Sequence, residues 1–120
     1  MRFEISTTRQ FSASHQLRLL DGSLEPLHGH NWVVKVTVAA EKLDSIGTVM
    51  DFHELERLVD RVIAPMHNRH LNEVNAFAKA NPSAENVALQ VGSTLALPSG
   101  VRLVAVEVWE TRTNSAAYRP

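Results

Sequence analysis

The chain contains no cysteine among its 120 residues, which excludes disulfide bonds, thiolate metal ligands and a thiolate nucleophile. It has no basic block either: 12 Lys and Arg residues face 13 Asp and Glu residues, so the charge pattern of a nucleic-acid-binding protein is missing. No apolar run reaches the roughly 18 to 20 residues of a membrane-spanning helix. The N-terminal stretch lacks the apolar core of a signal peptide. We therefore expect a cytoplasmic protein that binds neither nucleic acid nor a membrane.

What the chain does contain is an ordinary globular composition, with 44% hydrophobic and 21% charged residues. A chain of 120 residues has room for one core, so we predict a single domain over residues 1–120. The chain is also rich in histidine, with six at His15, His28, His30, His53, His67 and His70. The positions of these histidines guide the functional interpretation.

Two long strands are predicted from the alternation of apolar and polar residues over residues 2–15 and 28–41. In the first strand, Thr7 and Arg9 interrupt the apolar face, which allows a bulge or a bend there. In the second strand, Val33 and Ala39 make the polar face partly apolar, which is compatible with a partner subunit covering it. The turn-rich residues 17–27 connect the two strands.

Two helices are predicted after these strands. Residues 52–63 carry an apolar stripe that includes Phe52, with Asp51 as the N-cap and Glu54 completing a capping box. The second helix runs from about residue 84 to 97 and has Ser83 as its N-cap.

A third long strand is predicted over residues 101–110, with Arg102 on the same face as Val106, and a short last strand near residues 112–119. The order of strands, two helices and strands indicates an α+β fold. We expect a four-stranded antiparallel sheet with the two helices packed on one face.

The first candidate site is a set of three histidines. His28 and His30 are two residues apart on a predicted strand, so both imidazoles project from one face, with their Cα atoms about 7 Å apart. His15 ends the preceding strand and meets them if the two strands form a hairpin. Three imidazoles would leave a tetrahedral zinc ion one open position. The alternative is that the histidines are ordinary surface or core residues.

Six segments occur in a characteristic order: Phe11-Ser12-Ala13-Ser14-His15, Leu27-His28-Gly29-His30-Asn31-Trp32, Val49-Met50-Asp51-Phe52, Leu71-Asn72, Pro82-Ser83-Ala84-Glu85-Asn86 and Val106-Glu107-Val108-Trp109-Glu110-Thr111. In this order and spacing they resemble the 6-pyruvoyl-tetrahydropterin synthase and 6-carboxy-tetrahydropterin synthase family, over about residues 3–118. The resemblance implies the tunnelling fold (T-fold), zinc held by His15, His28 and His30, and a substrate of the dihydroneopterin triphosphate kind. It also implies a homo-oligomer, typically a hexamer, with pterin pockets between subunits.

The resemblance also implies residues that bind the pterin. It places the family's pterin-anchoring glutamate at Glu110, which is followed by Thr111. One carboxylate can accept hydrogen bonds from two N–H groups of a pterin as a fork, whereas the alternative role of Glu110 is a strand-end surface carboxylate. The family also uses a hydroxyl segment at the start of the second helix, which maps to Ser83. Capping that helix is an equally good and compatible role for Ser83.

The chain departs from the family pattern at the catalytic cysteine, whose position is occupied by Leu24. Instead, Glu25 stands three residues before His28, in a way that is similar to the third-type synthases. Those enzymes cleave the side chain of dihydroneopterin triphosphate to give 6-hydroxymethyl-dihydropterin. Glu25 is therefore our candidate general base, and the alternative is a solvated loop carboxylate.

A second departure concerns the family's aspartate–histidine pair, which falls here at His67 and Asn68. An asparagine cannot shuttle a proton, so the usual pair is lost. His67 and the nearby His70 are candidate replacements as acid–base partners of Glu25. The alternative is that both histidines are polar loop surface.

These residues together predict a zinc-dependent lyase that cleaves or eliminates the side chain of dihydroneopterin triphosphate or a related reduced pterin. One product would be 6-hydroxymethyl-7,8-dihydropterin. Two alternatives stay open: an enzyme like 6-carboxy-tetrahydropterin synthase, which the missing cysteine disfavours, and a zinc- and pterin-binding homologue without the conventional synthase activity. A purely structural zinc site is disfavoured because three ligands leave the metal open.

Overall fold

Residues 1–120 are all described in the computed structural model of the chain. The elements are β1 (Phe3–His15), β2 (His28–Ala40), α1 (Phe52–Ile63), β3 (Arg69–His70), α2 (Ala84–Thr94), β4 (Arg102–Trp109) and β5 (Ser115–Tyr118). Short 3-10 turns occupy Ala64–Met66, Leu71–Glu73 and Asn75–Phe77. Neither helix is long and apolar enough to cross a membrane.

The strands form one sheet in the order β3-β1-β2-β4-β5. All neighbours are antiparallel except β1 and β3, which are parallel. The α+β class with both helices on one face is confirmed, but the sheet has five strands and not the predicted four. The additional strand is β3, whose two residues are too few to produce the alternation from which a strand is predicted.

The pairing of β1 with β2 is continuous from Phe3 opposite Ala40 to His15 opposite His28, so β1 has no bulge where the sequence allows one. The Arg9 side chain explains how a polar residue is accommodated there. Its guanidinium donates two hydrogen bonds to Asp60, at 2.8 and 2.9 Å, and one to Glu56 at 2.9 Å, both on α1. These ion pairs raise the pKa of Arg9, with the hydrogen bond to Asp60 as the largest cause. Helix α1 therefore satisfies the charge without any distortion of the strand.

The irregularity lies instead between β2 and β4, where the register shifts at Thr37 and Val38. Residues directly opposite each other in a sheet share a face. Because Leu103 lies opposite Val38, it joins the face covered by the helices, and Arg102 does not. The prediction that Arg102 shares a face with Val106 is therefore wrong.

Helix α1 spans the predicted residues, and Asp51 caps it by accepting a hydrogen bond from the His53 backbone N–H at 3.1 Å. The predicted capping box is wrong, because Glu54 pairs with Arg57. Phe52, expected in the buried stripe, is 57% exposed.

Helix α2 is capped by Ser83, whose hydroxyl accepts from the Asn86 N–H at 3.1 Å, as predicted. It ends at Thr94, three residues before the predicted end. The Thr94 hydroxyl donates to the Gln90 carbonyl at 2.7 Å, and Leu95 then adopts an extended backbone.

The core lies between the two helices and the sheet face that they cover, which we call the inner face; the opposite face is the outer face. Its fully buried side chains include Phe11, Trp32, Val34, Val36, Leu55, Val59, Met66, Leu71, Phe77 and Val87. At one end of this core the Trp32 indole N–H donates to the Ala13 carbonyl at 3.1 Å. The same indole packs against His15, with ring centroids 4.8 Å apart. The candidate site is therefore built directly on the core.

Candidate functional site

Three histidines converge on the inner face at the paired ends of β1 and β2. His15 lies directly opposite His28, and His30 lies opposite Ala13, so the alternation of the two strands brings the three imidazoles together. Their candidate ligand atoms all lie within 4.8 Å of one another. The Nε2 atoms of His15 and His30 are 3.2 Å apart. The hairpin therefore assembles the three-histidine group that the sequence predicts, which we call the histidine triad.

Backbone carbonyls fix the orientation of two of these rings. His15 Nδ1 lies 2.7 Å from the Pro82 carbonyl oxygen, and His28 Nδ1 lies 2.8 Å from the Pro26 carbonyl oxygen. A carbonyl can only accept, so in each ring Nδ1 carries the hydrogen and Nε2 is left with a free lone pair. This is the arrangement that orients metal-ligating histidines in proteins. The donor set fits a zinc ion held by three neutral imidazoles.

The triad runs from the core towards solvent. His15 is only 1% exposed, whereas the side chain of His28 is 39% exposed. Burial lowers the pKa of His30; the Glu110 carboxylate opposes this shift, and His15 and His28 add to it. A lowered pKa keeps His30 neutral, and the neutral imidazole is the form that binds a metal. The open side leaves room for a fourth ligand.

Glu110 follows the last residue of β4 and lies beside the triad. Its carboxylate oxygens are 3.7 Å from His30 Nε2 and 4.0 Å from His15 Nε2, and its side chain is 29% exposed. A pocket of about 540 Å³ lies against it, lined by Gly29, His30, Asn31, Val33, Trp109, Glu110, Thr111 and Arg112. This volume is in the range of small-molecule sites. The carboxylate is therefore placed to receive donors from a molecule in the pocket.

The other two predicted pterin-binding residues have structural contacts. Thr111 lines the same pocket, and its hydroxyl accepts from the Asn114 backbone N–H at 3.2 Å, which stabilises the turn before β5. Ser83 caps α2 next to Pro82, the residue whose carbonyl holds His15. Each directly follows a residue that contacts the triad, Pro82 or Glu110, and their hydrogen bonds are those of a turn and a cap.

Glu25 lies on the His28 side of the triad. Its Oε1 accepts from the Leu17 backbone N–H at 3.0 Å and lies 3.9 Å from His28 Nε2. The side chain is 26% exposed. A freely solvated loop carboxylate would not be held in this way, so the structure brings Glu25 and the triad together.

His67 and His70 do not reach the triad within the chain. His67 Nδ1 accepts from the Ser12 backbone N–H at 3.1 Å, and His70 Nδ1 lies 3.0 Å from the Ser14 hydroxyl. Ser12 and Ser14 alternate with the inner-face residues of β1, so their side chains lie on the outer face. The His70 side chain is therefore separated from Glu25 by the sheet, whereas His67, which bonds to the backbone N–H of Ser12, lies at the edge of β1.

Asn68, between these histidines, has a φ of 58°, in the left-handed region. Asparagine adopts this conformation more readily than most residues. Its backbone N–H donates to the Ser12 carbonyl at 2.6 Å. This tight turn starts the pairing of β3 with β1.

Several polar groups that the sequence does not single out support the site. They include the Pro26 and Pro82 carbonyls and the side chains of Gln16, Asn72 and Asn81. A backbone carbonyl has no signature in a sequence. Asn72 stands in one of the six quoted segments, which is the signal that could have indicated it.

A family model for 6-pyruvoyl tetrahydropterin synthase matches residues 4–120. The chain is 33% identical to the dihydroneopterin monophosphate aldolase of Pyrococcus furiosus, with 92% of the chain and 91% of that protein covered. It is also 33% identical to the human 6-pyruvoyl tetrahydrobiopterin synthase, covering 97% of the chain and 90% of that protein. Identity to the 6-carboxy-5,6,7,8-tetrahydropterin synthase of Synechocystis is 32%, with coverages of 90% and 86%.

Solved structures give the same result for the fold. The 6-pyruvoyl tetrahydropterin synthase of Caenorhabditis elegans superposes with a TM-score of 0.85 at 26% identity, covering 100% of the chain and 96% of that structure. The Plasmodium vivax 6-pyruvoyl tetrahydropterin synthase superposes with a TM-score of 0.74 at 18% identity, covering 100% and 98%. The predicted tunnelling fold is confirmed.

Proposed function

This chain belongs to the 6-pyruvoyl tetrahydropterin synthase family, and from that premise we propose that it is a zinc-dependent lyase acting on dihydroneopterin triphosphate or a related phosphorylated dihydropterin. The reaction that we favour is cleavage of the pterin side chain to give 6-hydroxymethyl-7,8-dihydropterin. Support for a carbon–carbon cleavage comes from the relative named as an aldolase, which aligns over 92% of the chain.

The observation that carries this proposal is the position of Glu25 beside three converging imidazoles. The carboxylate is held by the Leu17 N–H, and its Oε1 lies 3.9 Å from His28 Nε2. A base in this place faces any substrate group that reaches the open side of the triad. The chain has no cysteine that would serve this role.

An aldol-type cleavage needs a base first and an acid second. When bound by His15, His28 and His30, zinc would supply Lewis acidity to the hydroxyls of the pterin side chain. Glu25 takes the proton from the hydroxyl on the second side-chain carbon, which is the far end of the breaking bond and leaves as part of an aldehyde. As that bond breaks, the hydroxyl carbon becomes a carbonyl and the electron pair remains on the carbon attached to the ring. An acid must then return a proton to that carbon.

Glu110 is our proposed anchor for the pterin ring. No protein donor hydrogen-bonds to its carboxylate, and a pterin presents two adjacent N–H donors that a carboxylate can accept as a fork. Thr111 lines the same pocket, and Ser83 lies beside the residue that holds His15. With the ring fixed at Glu110, the side chain is oriented towards the triad, which lowers the entropic cost of reaching the reactive geometry.

The acid is proposed to come from His67 or His70 of a neighbouring subunit. His70 lies on the outer face of β1 and His67 lies at the edge of β1, and neither contacts the triad of its own chain. Because Nδ1 of His67 accepts a hydrogen bond, a neutral His67 carries its hydrogen on Nε2, where it is available to donate. A homo-oligomer, proposed as a hexamer, would bring this group to another chain's triad. The cytoplasmic location stays a prediction.

A pterin-binding homologue without turnover is the second candidate, and Asn68 favours it. Asn68 occupies the position of the family's catalytic histidine and its amide cannot carry a proton. Under this interpretation the triad and Glu110 still bind zinc and pterin. An enzyme of the 6-carboxy-tetrahydropterin synthase type is disfavoured because the chain has no cysteine.

The test is to incubate the zinc-loaded protein with dihydroneopterin triphosphate and, separately, with the monophosphate, and to resolve the pterin products by chromatography. We expect 6-hydroxymethyl-7,8-dihydropterin, and we expect Glu25→Ala to abolish it while leaving pterin binding intact. Tight pterin binding without product from either substrate would favour the second candidate and contradict the lyase.

The anchor has a matched control within β4. Glu110→Gln should weaken pterin binding about 10- to 100-fold, because it removes a charged acceptor of two hydrogen bonds. Glu107→Gln changes a carboxylate three residues earlier, on the outer face, where it pairs with Arg119 at 3.8 Å. This control should bind pterin like the unchanged protein. Equal binding by both variants would contradict the anchoring role.

A further inference from the structure

Two asparagine side chains continue the pairing of β1 beyond its last residue. The Asn72 amide accepts from the Gln16 backbone N–H at 2.9 Å and donates to the Gln16 carbonyl at 2.7 Å. The Asn81 amide does the same for Arg18, with distances of 2.7 and 3.1 Å. Each amide thus provides the donor and the acceptor that a neighbouring strand would provide. We call Asn72 and Asn81 the amide clamp.

Leu17 lies between the two clamped residues, and its backbone points the other way, as alternate residues of an extended segment do. Its N–H donates to the Glu25 carboxylate at 3.0 Å, and its carbonyl accepts from the Glu25 backbone N–H at 3.0 Å. The Gln16 side chain adds a hydrogen bond to the Glu25 carbonyl at 3.1 Å. The segment 16–18 is therefore held by the clamp on one edge and holds Glu25 on the other.

The residue that follows Asn81 also contacts the triad. Pro82, next to Asn81, accepts the hydrogen of His15 Nδ1 at 2.7 Å. Asn86 in turn donates to the Asn81 carbonyl at 2.9 Å, which ties this segment to the first turn of α2. Residues 81–82 therefore orient His15 directly and, through Arg18, support the segment that holds the Glu25 carboxylate.

We propose that Asn72 and Asn81 are positioning residues that fix Glu25 beside His28 by holding Leu17 between them. This inference rests on the role of Glu25 in the proposed function. An amide fits because each clamped residue presents one N–H and one carbonyl, and an amide carries its acceptor and its donor on two separate atoms. An aspartate keeps the acceptor but sets a carboxylate oxygen against the carbonyl, whereas an alanine leaves both backbone groups without a partner.

The first measurement is amide hydrogen exchange of the full-length protein, which requires no activity. In Asn72→Ala, exchange at Gln16 and Leu17 should rise at least about 10-fold, because the local opening that exposes them becomes easier. The matched control is Asp44→Ala, which removes a side chain that accepts from the Ile46 and Thr48 N–H groups in the loop after β2. This control should leave Leu17 protected. Unchanged exchange at Leu17 in Asn72→Ala would overturn the proposal.

The second measurement is a double-mutant cycle on turnover of the zinc-loaded protein. Asn72→Asp should lower kcat about 10- to 100-fold, as is typical for a residue that orients a site group, with KM and bound zinc unchanged. On the residual turnover of the Glu25→Gln variant, the same substitution should cost less than about 2-fold, because the carboxylate that it positions is already gone. An equal loss in both backgrounds would mean a general structural role and would overturn the proposal.

The two failures are distinguishable. If Glu25→Gln turns over dihydropterin as fast as the unchanged protein, Glu25 is not the base and the proposed function is wrong on that point. The amide clamp then cannot affect turnover by positioning Glu25. If no variant has activity, the exchange at Leu17 decides the clamp by itself. Exchange that rises in Asn72→Ala and not in Asp44→Ala supports it, and any other pattern contradicts it.

Discussion

Individual hydrogen atoms decide what the triad can bind. Two of its rings direct Nδ1 at a carbonyl oxygen, so their Nε2 lone pairs face inward. A divalent cation such as zinc can accept lone pairs in this arrangement. The Nε2 atoms of His15 and His30 at 3.2 Å are close enough for one ion to contact both, given zinc–nitrogen distances of about 2.0 to 2.1 Å.

Substitution of a single triad histidine should therefore remove the metal. We expect His28→Ala, purified without chelators, to hold less than about half a zinc ion per chain, because two protein ligands do not complete a structural or catalytic site. His28 is chosen because its side chain is 39% exposed, so that its loss costs little packing. Metal analysis by mass spectrometry after gel filtration gives the readout.

The matched control for this substitution is His53→Ala on α1. The His53 side chain is 81% exposed and pairs only with Glu56, so this variant should keep its zinc. Full zinc retention by His28→Ala would count against the site, whereas loss from both variants would mean that the measured zinc was not bound by the triad.

The triad could be predicted from the sequence because a β-strand repeats every two residues, so His28 and His30 must share a face. The same local rule places Glu110 on the inner face, two residues beyond Val108. The partners of Glu25 could not be predicted in this way. Leu17 contacts Glu25 through its backbone N–H, which any residue could provide. Asn72 bonds to Gln16, from which it is far apart along the chain. Neither contact produces a local sequence pattern.

Among the elements, those with a repeated pattern were predictable and those set by tertiary contacts were not. Helix α1 spans the predicted residues because its apolar stripe is long and regular. The end of α2 was predicted too late because residues 95–97 remain apolar, although Leu95 packs against the core with an extended backbone. The shift between β2 and β4 depends on how two strands pair, which no single strand encodes.

The packing of α2 on β5 depends on a glycine in the helix. A Cβ atom added to Gly92 would lie 2.8 Å from two ring carbons of Tyr118 and 3.1 Å from a methyl carbon of Leu103. In a solvent-exposed helix position, Gly→Ala would stabilise by roughly 1 kcal/mol. Here we expect Gly92→Ala to destabilise by about 1 to 3 kcal/mol, because an overpacked core must shift rings or backbone. Urea unfolding followed by circular dichroism measures the change.

The Tyr118 ring provides the control for this prediction. In a Tyr118→Ala background the main obstacle to the new methyl group is gone, so Gly92→Ala should become neutral or stabilising relative to Tyr118→Ala alone. A destabilisation of the same size in both backgrounds would show that the close contact between α2 and β5 is not the cause.

At the scale of the whole molecule, the candidate groups are divided between the two faces of one sheet. The triad, Glu25 and Glu110 lie together at one end of β1 and β2, whereas His70 contacts the outer-face hydroxyl of Ser14 and His67 bonds to the backbone of Ser12 at the edge of β1. Neither histidine contacts the triad of its own chain. If one of these histidines is the acid, each working site must draw on two chains.

Mixing of impaired variants tests this division. Glu25→Gln is combined with whichever of His67→Gln and His70→Gln abolishes turnover alone, and the two are unfolded together and reassembled at equal amounts. If the base and the acid come from neighbouring chains, about a quarter of the sites receive both intact groups, because random assembly places either chain type at each position with equal chance. We therefore expect about a quarter of the unmixed activity of the unchanged protein.

Glu25→Gln mixed with Glu110→Gln is the control, since both residues flank the triad of one chain and no mixed assembly restores a complete set. Recovery in the control, or none in the first mixture, would contradict a site shared between chains.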